Sequence, residues 1–412
     1  MTSRLISVAI PAILASGPSD ARAGETPEMM IKVGGGFAAA ALSGQDFKVF
    51  ASELKPGEEC LSESPSAGDG GLPDLEGLIE SGGKDVRDGA KPADFNGEKF
   101  VRISSFPGRH TLKFGLKKSV ITINGEGSGY GHLILEAAGG SITFDKRTFR
   151  GRMELVASAR DGLAVVNRIP IEDYLKGMLG SEMSHSWPLA ALKAQAVAAR
   201  SYAVHQRYFG GKCHYHVESS VIDQVYTGLQ KEEISTIQAV ADTAGEVLSY
   251  GGEPALALFH SCCGGQTRDI AEVFGKPVPY LKGRKCGFDS ACPLFRWKRT
   301  VPLEKLGDAL KKAGLLSGAL DSVSIDERGR AVLNGSRKIR TDQLRRAVGY
   351  NAIPGGWFTV SSEVGQAVFS GRGSGHGVGM CQYGAKGMAE AGWDYRKILG
   401  YYFSGAELIR MY

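Results

Sequence analysis

Past residue 24 the chain has no long uncharged apolar run, so nothing there reads as a transmembrane helix. It has no block of five or more like charges and no lysine- or arginine-rich run. The net charge of +5 over 412 residues is mild, and no nucleic-acid partner is expected. No C-x-x-C pair occurs, which removes the strongest sequence signature of zinc. No glycine-rich stretch ends in Gly-Lys-Ser/Thr, which excludes a phosphate loop. There is no internal repeat.

What is present suits a globular, exported protein. Hydrophobic residues make up 42% and charged residues 23%, while 57 glycines call for many tight turns. Residues 1–23 read as a signal peptide: Arg4, a mostly apolar run at 5–16, and the small-x-small site Ala21-Arg22-Ala23. The expected location is the periplasm or cell envelope. Of seven cysteines, Cys262, Cys263, Cys286 and Cys292 cluster, and Cys60, Cys213 and Cys381 stand apart. An odd number leaves a thiol unpaired within the chain, and export favours disulfides over a zinc site for the cluster.

The chain divides into opening strands (24–53), a flexible insertion (54–97) and a main domain (98–412). Residues 30–34 and 47–50 suggest an opening strand pair. Gly, Pro, Ser, Asp and Glu dominate 54–97, leaving little apolar surface to bury. From 98 to 167, β-type runs return between turn residues (KFVRIS, SVITING, HLILEA, SITFD, RMELVAS, LAVVN). Helices are predicted at 169–183 and 188–209, the second with Ser186 placed to cap it and an apolar stripe of Leu189, Leu192, Ala196, Ala199 and Ala203. Further helices fit 234–243, 303–316, 341–349 and 394–403, with strands at 246–250, 357–363 and 367–373 and a hairpin over 322–335. The fold class is α+β: a largely antiparallel β scaffold with a central amphipathic helix.

Two segments carry candidate chemistry. Glu182 lies among Met178, Leu179, Met183 and Trp187; desolvation there would raise its pKa and suit it to protonating a glycosidic oxygen. The same position also fits a surface glutamate at a helix end. Lys193, Ala196 and Arg200 share one helix face, either as a cationic strip beside Glu182 or as solvated charge, while Gln195 faces elsewhere. In GRGSGHGVGMCQYGAKGM (371–388), five glycines between 371 and 379 permit positive φ and close backbone approach. His376 sits on that turn, as a substrate or acid/base group or as a buried histidine bonded to backbone. In FHSCCGGQTRD (259–269), a His260–cysteine nucleophile pair is conceivable but less expected than disulfides. The Cys213-His-Tyr-His216 spacing matches no strong metal template.

These segments resemble the SpoIID/LytB family, named for stage II sporulation protein D and an amidase enhancer. The matching elements, in order, are NRIPIEDYLKGMLGSEM, WPLAALKAQAVAARSYA, DQVYTG (223–228), FHSCCGGQT, the RW at 296–297, LRRAVG, GHGVGMCQYGAKGMAEAG and ILGYYFSG. The resemblance spans about residues 98–409. It implies a cell-envelope protein acting on peptidoglycan: a lytic transglycosylase cleaving between N-acetylmuramic acid and N-acetylglucosamine, with Glu182 catalytic. Arg200, Lys193, His376 and Gln382 are expected to bind substrate. One carboxylate suffices, because the sugar's own 6-hydroxyl replaces water and leaves an anhydromuramyl end. The partners implied are glycan strands and a cell-wall amidase; the alternative role is a non-catalytic, glycan-binding amidase enhancer. No cofactor is expected. Some members bind zinc through His and Cys residues before and at the start of the C-Q-x-Y motif, but here that motif begins Asp223-Gln224, with Ile222 before it. Ser374 and Cys381 also depart from the family's usual Trp and Ser.

Overall fold

The computed structural model describes residues 26–37, 39–52, 100–158, 162–210, 214–219 and 223–412. The expected signal peptide and the 54–97 insertion lie outside these residues, as do Cys60 and Cys213. The described chain is α+β, as its patterning implies.

An eleven-stranded sheet forms the scaffold. Third from one end, the strand Gly162–Pro170 is buried over seven consecutive residues, as its apolar run LAVV requires. It pairs antiparallel with Arg152–Ser158 on one side and Glu28–Phe37 on the other. Among the described residues of this sheet, only the short Val217–Glu218 strand runs parallel to its neighbour. The expected opening strands both form, but they do not pair with each other. Glu28–Phe37 joins Gly162–Pro170, while Ala39–Ser52 forms a long hairpin arm with Phe100–Lys117, paired as far as Ser52 and Phe100.

Two helices follow Gly162–Pro170. The first, α1 (Ile171–Glu182), starts after Pro170 with Glu172 and Asp173 in its first turn, where carboxylates complement the helix dipole. Its apolar face buries Ile171, Tyr174, Leu175, Met178 and Leu179. Met183 then turns extended and ends it. In the second, α2 (Leu189–Phe209), Pro188 holds the N-cap position without a side-chain cap bond, and the expected cap Ser186 instead meets the Ser184 hydroxyl at 2.9 Å. Every residue from Ala194 to Gln206 on α2 is buried, so this helix runs through the core rather than along it. Its alanines allow that close approach; truncating a large neighbour such as Leu192 would cost about 2–5 kcal/mol. Leu189, the first residue of the expected stripe, is 40% exposed.

The described residues hold two apolar cores. The larger joins the sheet, α1, α2 and the C-terminal helices. The smaller lies within 297–369 and gathers Trp297, Leu306, Leu310, Leu344, Phe358 and Phe369. Between the end of α1 and the smaller core lies the groove described next.

Candidate active site

Glu182 is the last residue of α1 and opens onto a cavity of about 460 Å³. Its Oε1 accepts a hydrogen bond from Val225 N–H at 2.9 Å, and Gln382 Nε2 approaches Oε2 at 3.4 Å. Burial pushes the Glu182 carboxyl above the usual value, while the two donors pull it back. The net direction is upward, which favours the protonated carboxyl, while the two donors face the form that has lost its proton.

The segment that presents Val225 is stitched down residue by residue. Asp223 accepts from Tyr202 O–H (2.7 Å) and Glu218 N–H (2.8 Å). Gln224 accepts from Tyr174 O–H (2.6 Å) and donates to Ala199 C=O (3.2 Å). Tyr226 donates its hydroxyl to Asn167 at 3.1 Å. Thus DQVY fixes one backbone donor against the candidate acid. The composition of that motif gives no hint of this role, because a backbone N–H has no sequence signature.

The glycine-rich segment forms the opposite wall. Gly373, Gly375, Gly377 and Gly379 all take positive φ, and a Cβ at Gly379 would lie 2.0 Å from the Leu258 carbonyl oxygen. The glycines therefore let 373–381 lie against 258–262, where Met380–Cys381 pairs parallel with Phe259–His260. His376 is brought to the same cavity as Glu182. Both of its ring nitrogens are engaged by backbone: Nδ1 accepts from Val378 N–H (3.1 Å) and Nε2 meets the Phe259 carbonyl (2.8 Å). Burial, with His260 beside it, pushes its pKa down to about 3, which favours the neutral ring. His260 also lines the cavity, stacked edge-on against His376 at 5.5 Å and pushed down to about 4 by burial.

Two expected substrate-binding residues lie elsewhere. Arg200 is fully buried and forks onto Glu172 (2.9 and 2.8 Å), with a further bond to the Glu246 carbonyl at 3.1 Å. It pins α1 to α2 and cannot reach a glycan. Lys193 pairs with Asp242 at 2.7 Å and is absent from the groove lining. Lys193 and Arg200 therefore form no cationic strip beside Glu182. The basic groups on the cavity wall are Arg299 and Arg345, both from the smaller-core region. Gln382, by contrast, does stand in the groove, between Glu182 and the buried Gln195 (3.5 Å).

The disulfide expectation is also corrected: Cys262, Cys263, Cys286, Cys292 and Cys381 are all free, buried thiols. Cys381, which sequence separation set apart, joins the others. Cys263, Cys286, Cys381 and Asp289 form one group able to hold a metal ion.

The same segments are similar in sequence to known proteins. Residues 159–250, which hold α1, α2 and the DQVY segment, match the family model "Stage II sporulation protein". An uncharacterized protein of Brachyspira hyodysenteriae is 34% identical over 72% of this chain and 80% of its own length. Stage II sporulation protein D of Bacillus subtilis is 30% identical, over 59% of this chain and 75% of its own. The amidase enhancer of Bacillus subtilis is 31% identical over 57% of this chain, which spans 40% of that protein. On the strength of these likenesses, and of the motifs that build the groove, the chain belongs to the SpoIID/LytB family.

Proposed function

We propose that the chain is a peptidoglycan lytic transglycosylase, cleaving between N-acetylmuramic acid and N-acetylglucosamine in glycan strands, preferably those without stem peptides. The observation that carries this reading is Glu182: one desolvated carboxyl at the groove, held by the Val225 and Gln382 donors. In the first step Glu182 gives its proton to the glycosidic oxygen as the C1–O bond breaks. In the second, the 6-hydroxyl of the muramyl sugar bonds to C1 and its proton returns to the Glu182 carboxylate. The acid is regenerated and the product carries a 1,6-anhydro end. Val225 and Gln382 stabilise the carboxylate between the two steps. No second acid is required, and the other two carboxylates lining the groove are already engaged: Asp223 accepts from Tyr202 and the Glu218 N–H, and Asp342 pairs with Arg340 and Arg346. The setting is the cell envelope, reached by export. A cell-wall amidase that removes stem peptides would supply the substrate.

The likeness to the amidase enhancer favours a second reading, a glycan-binding protein that stimulates such an amidase without cleaving glycan. Digestion of amidase-stripped glycan strands, read by mass spectrometry, separates the two. Anhydromuramyl ends from the wild type, reduced about 10²- to 10⁴-fold in Glu182→Gln, are the expected result. Binding without cleavage by either protein would replace the first reading with the second.

A further inference from the structure

We propose that Cys263, Cys286, Cys381 and Asp289 form a tetrahedral zinc site that clamps the groove wall. The proposal goes beyond glycan cleavage, and its test does not depend on it.

The three sulfurs and a carboxylate oxygen all lie within 4.8 Å of one another, and all four residues are buried. Tetrahedral zinc with bonds of about 2.3 Å to sulfur sets its ligand sulfurs roughly 3.8 Å apart. The group therefore needs only a small contraction to close around an ion. Three sulfurs and one carboxylate are a donor set zinc accepts.

Asp289 supplies the second observation. It is fully buried, and its Oδ1 has no hydrogen-bond partner. Its Oδ2 is fixed by Gly264 N–H (2.8 Å) and Gly265 N–H (3.1 Å), with Cys263 Sγ at 3.1 Å. Oδ2 is the oxygen that faces the sulfurs, with Cys262 and Cys381 Sγ also at 3.5 and 3.9 Å. A fully buried carboxylate with one oxygen unpartnered is costly unless a cation meets it.

The surroundings are those of a thiolate centre. Cys381 Sγ accepts from Cys263 N–H (3.3 Å) and Gly384 N–H (3.2 Å), and Cys286 Sγ meets the Tyr402 hydroxyl at 3.2 Å. Such outer donors orient metal ligands and hold their charge. Gly384 is part of the same design, since a Cβ there would lie 2.6 Å from Cys286 Sγ.

The ligands come from three segments: the turn after Phe259–His260, the 286–289 loop, and the residue capping the helix Gln382–Glu390. Cys381 immediately precedes Gln382, which reaches Glu182. The ion would thus tie down the segments that carry His260, His376 and Gln382.

The test is metal analysis of the purified full chain, expressed with zinc and without reductant. Mass spectrometry of elements should find about one zinc per chain, released as a mercurial reagent titrates the thiols. Cobalt exchanged into the site should show a thiolate-to-metal charge-transfer band. Occupancy should fall at least tenfold in Cys286→Ser and Cys381→Ser, and persist in Cys292→Ser. The wild-type metal content and the cobalt spectrum stand even where a variant fails to fold. Wild-type protein with no bound metal and no cobalt uptake overturns the proposal. So does a Cys263–Cys286 or Cys286–Cys381 disulfide in non-reducing peptide mapping, iron in place of zinc, or loss of zinc in Cys292→Ser.

Discussion

Gln382 Nε2 stands 3.4 Å from Glu182 Oε2, across 200 positions of sequence. This amide lowers the carboxyl's pKa against the burial that raises it. In Gln382→Met the donor is lost and the volume kept, so Glu182 should hold its proton to higher pH. The alkaline limb of kcat/KM on soluble glycan strands should move upward, and the rate should fall about 10- to 100-fold as the carboxylate loses a charged hydrogen bond. An alkaline limb that stays in place or moves down would sink this assignment.

His205 and His376 predict acid lability. Burial pushes His205 down to about 4 and His376 to about 3, from an ordinary value near 6.5. Below pH 6.5 the unfolded chain takes up protons that the folded chain refuses, so their contribution is intact above 6.5 and shrinks as pH falls towards 4. For His205, 7% exposed, the loss is about 2 kcal/mol by pH 5. Denaturant unfolding at pH 7.5 and pH 5 should show the decline, and His205→Gln should flatten it. Equal slopes in the two proteins would refute the argument. Glu182 acts in the opposite sense, because its folded carboxyl lies above its usual value; Glu182→Gln should steepen the decline.

The parts of this protein legible in its sequence are those with a local cause. The α2 helix follows from its alanine-rich periodicity, and the need for glycine at 373–379 follows from alternating positive φ. The helix Gln382–Glu390 was hidden, because Gly384 and Gly387 read as a continued loop. They are there for contact: a Cβ at Gly387 would lie 2.1 Å from the Phe288 carbonyl oxygen. Periodicity put Lys193 and Arg200 on one face correctly but could not say what that face meets. It meets Asp242 and Glu172, not the groove. Strand partners and the Cys381 contact depend on long-range pairing, which sequence separation conceals.

Arg200 should behave as a structural residue. Arg200→Met leaves Glu172, which also accepts from Gly245 N–H, without its buried counter-charge. The expected cost is about 3–5 kcal/mol in denaturant unfolding. The double variant with Glu172→Gln should recover part of it. At a temperature where the single variant stays folded, KM for glycan strands should change less than about twofold, since Arg200 is fully buried and absent from the groove lining. A selective rise in KM without loss of stability would return Arg200 to the groove.

The last prediction separates two glycines of equal backbone habit. Gly379 and Gly392 take φ of 72° and 84°, so alanine at either pays about 1–2 kcal/mol for the left-handed region. At Gly392 a Cβ meets nothing within 4 Å, and the cost should end there. At Gly379 it would lie 2.0 Å from the Leu258 carbonyl oxygen, across the strand pair that holds the groove wall. Relieving that clash means separating Met380–Cys381 from Phe259–His260, which moves Gln382 away from Glu182. Gly379→Ala should therefore lose stability by about 1–3 kcal/mol more than Gly392→Ala. It should also lose glycan cleavage under conditions where both variants remain folded by circular dichroism. Matching stabilities and activities in the two variants would mean that the close approach of these strands is not what the glycine secures.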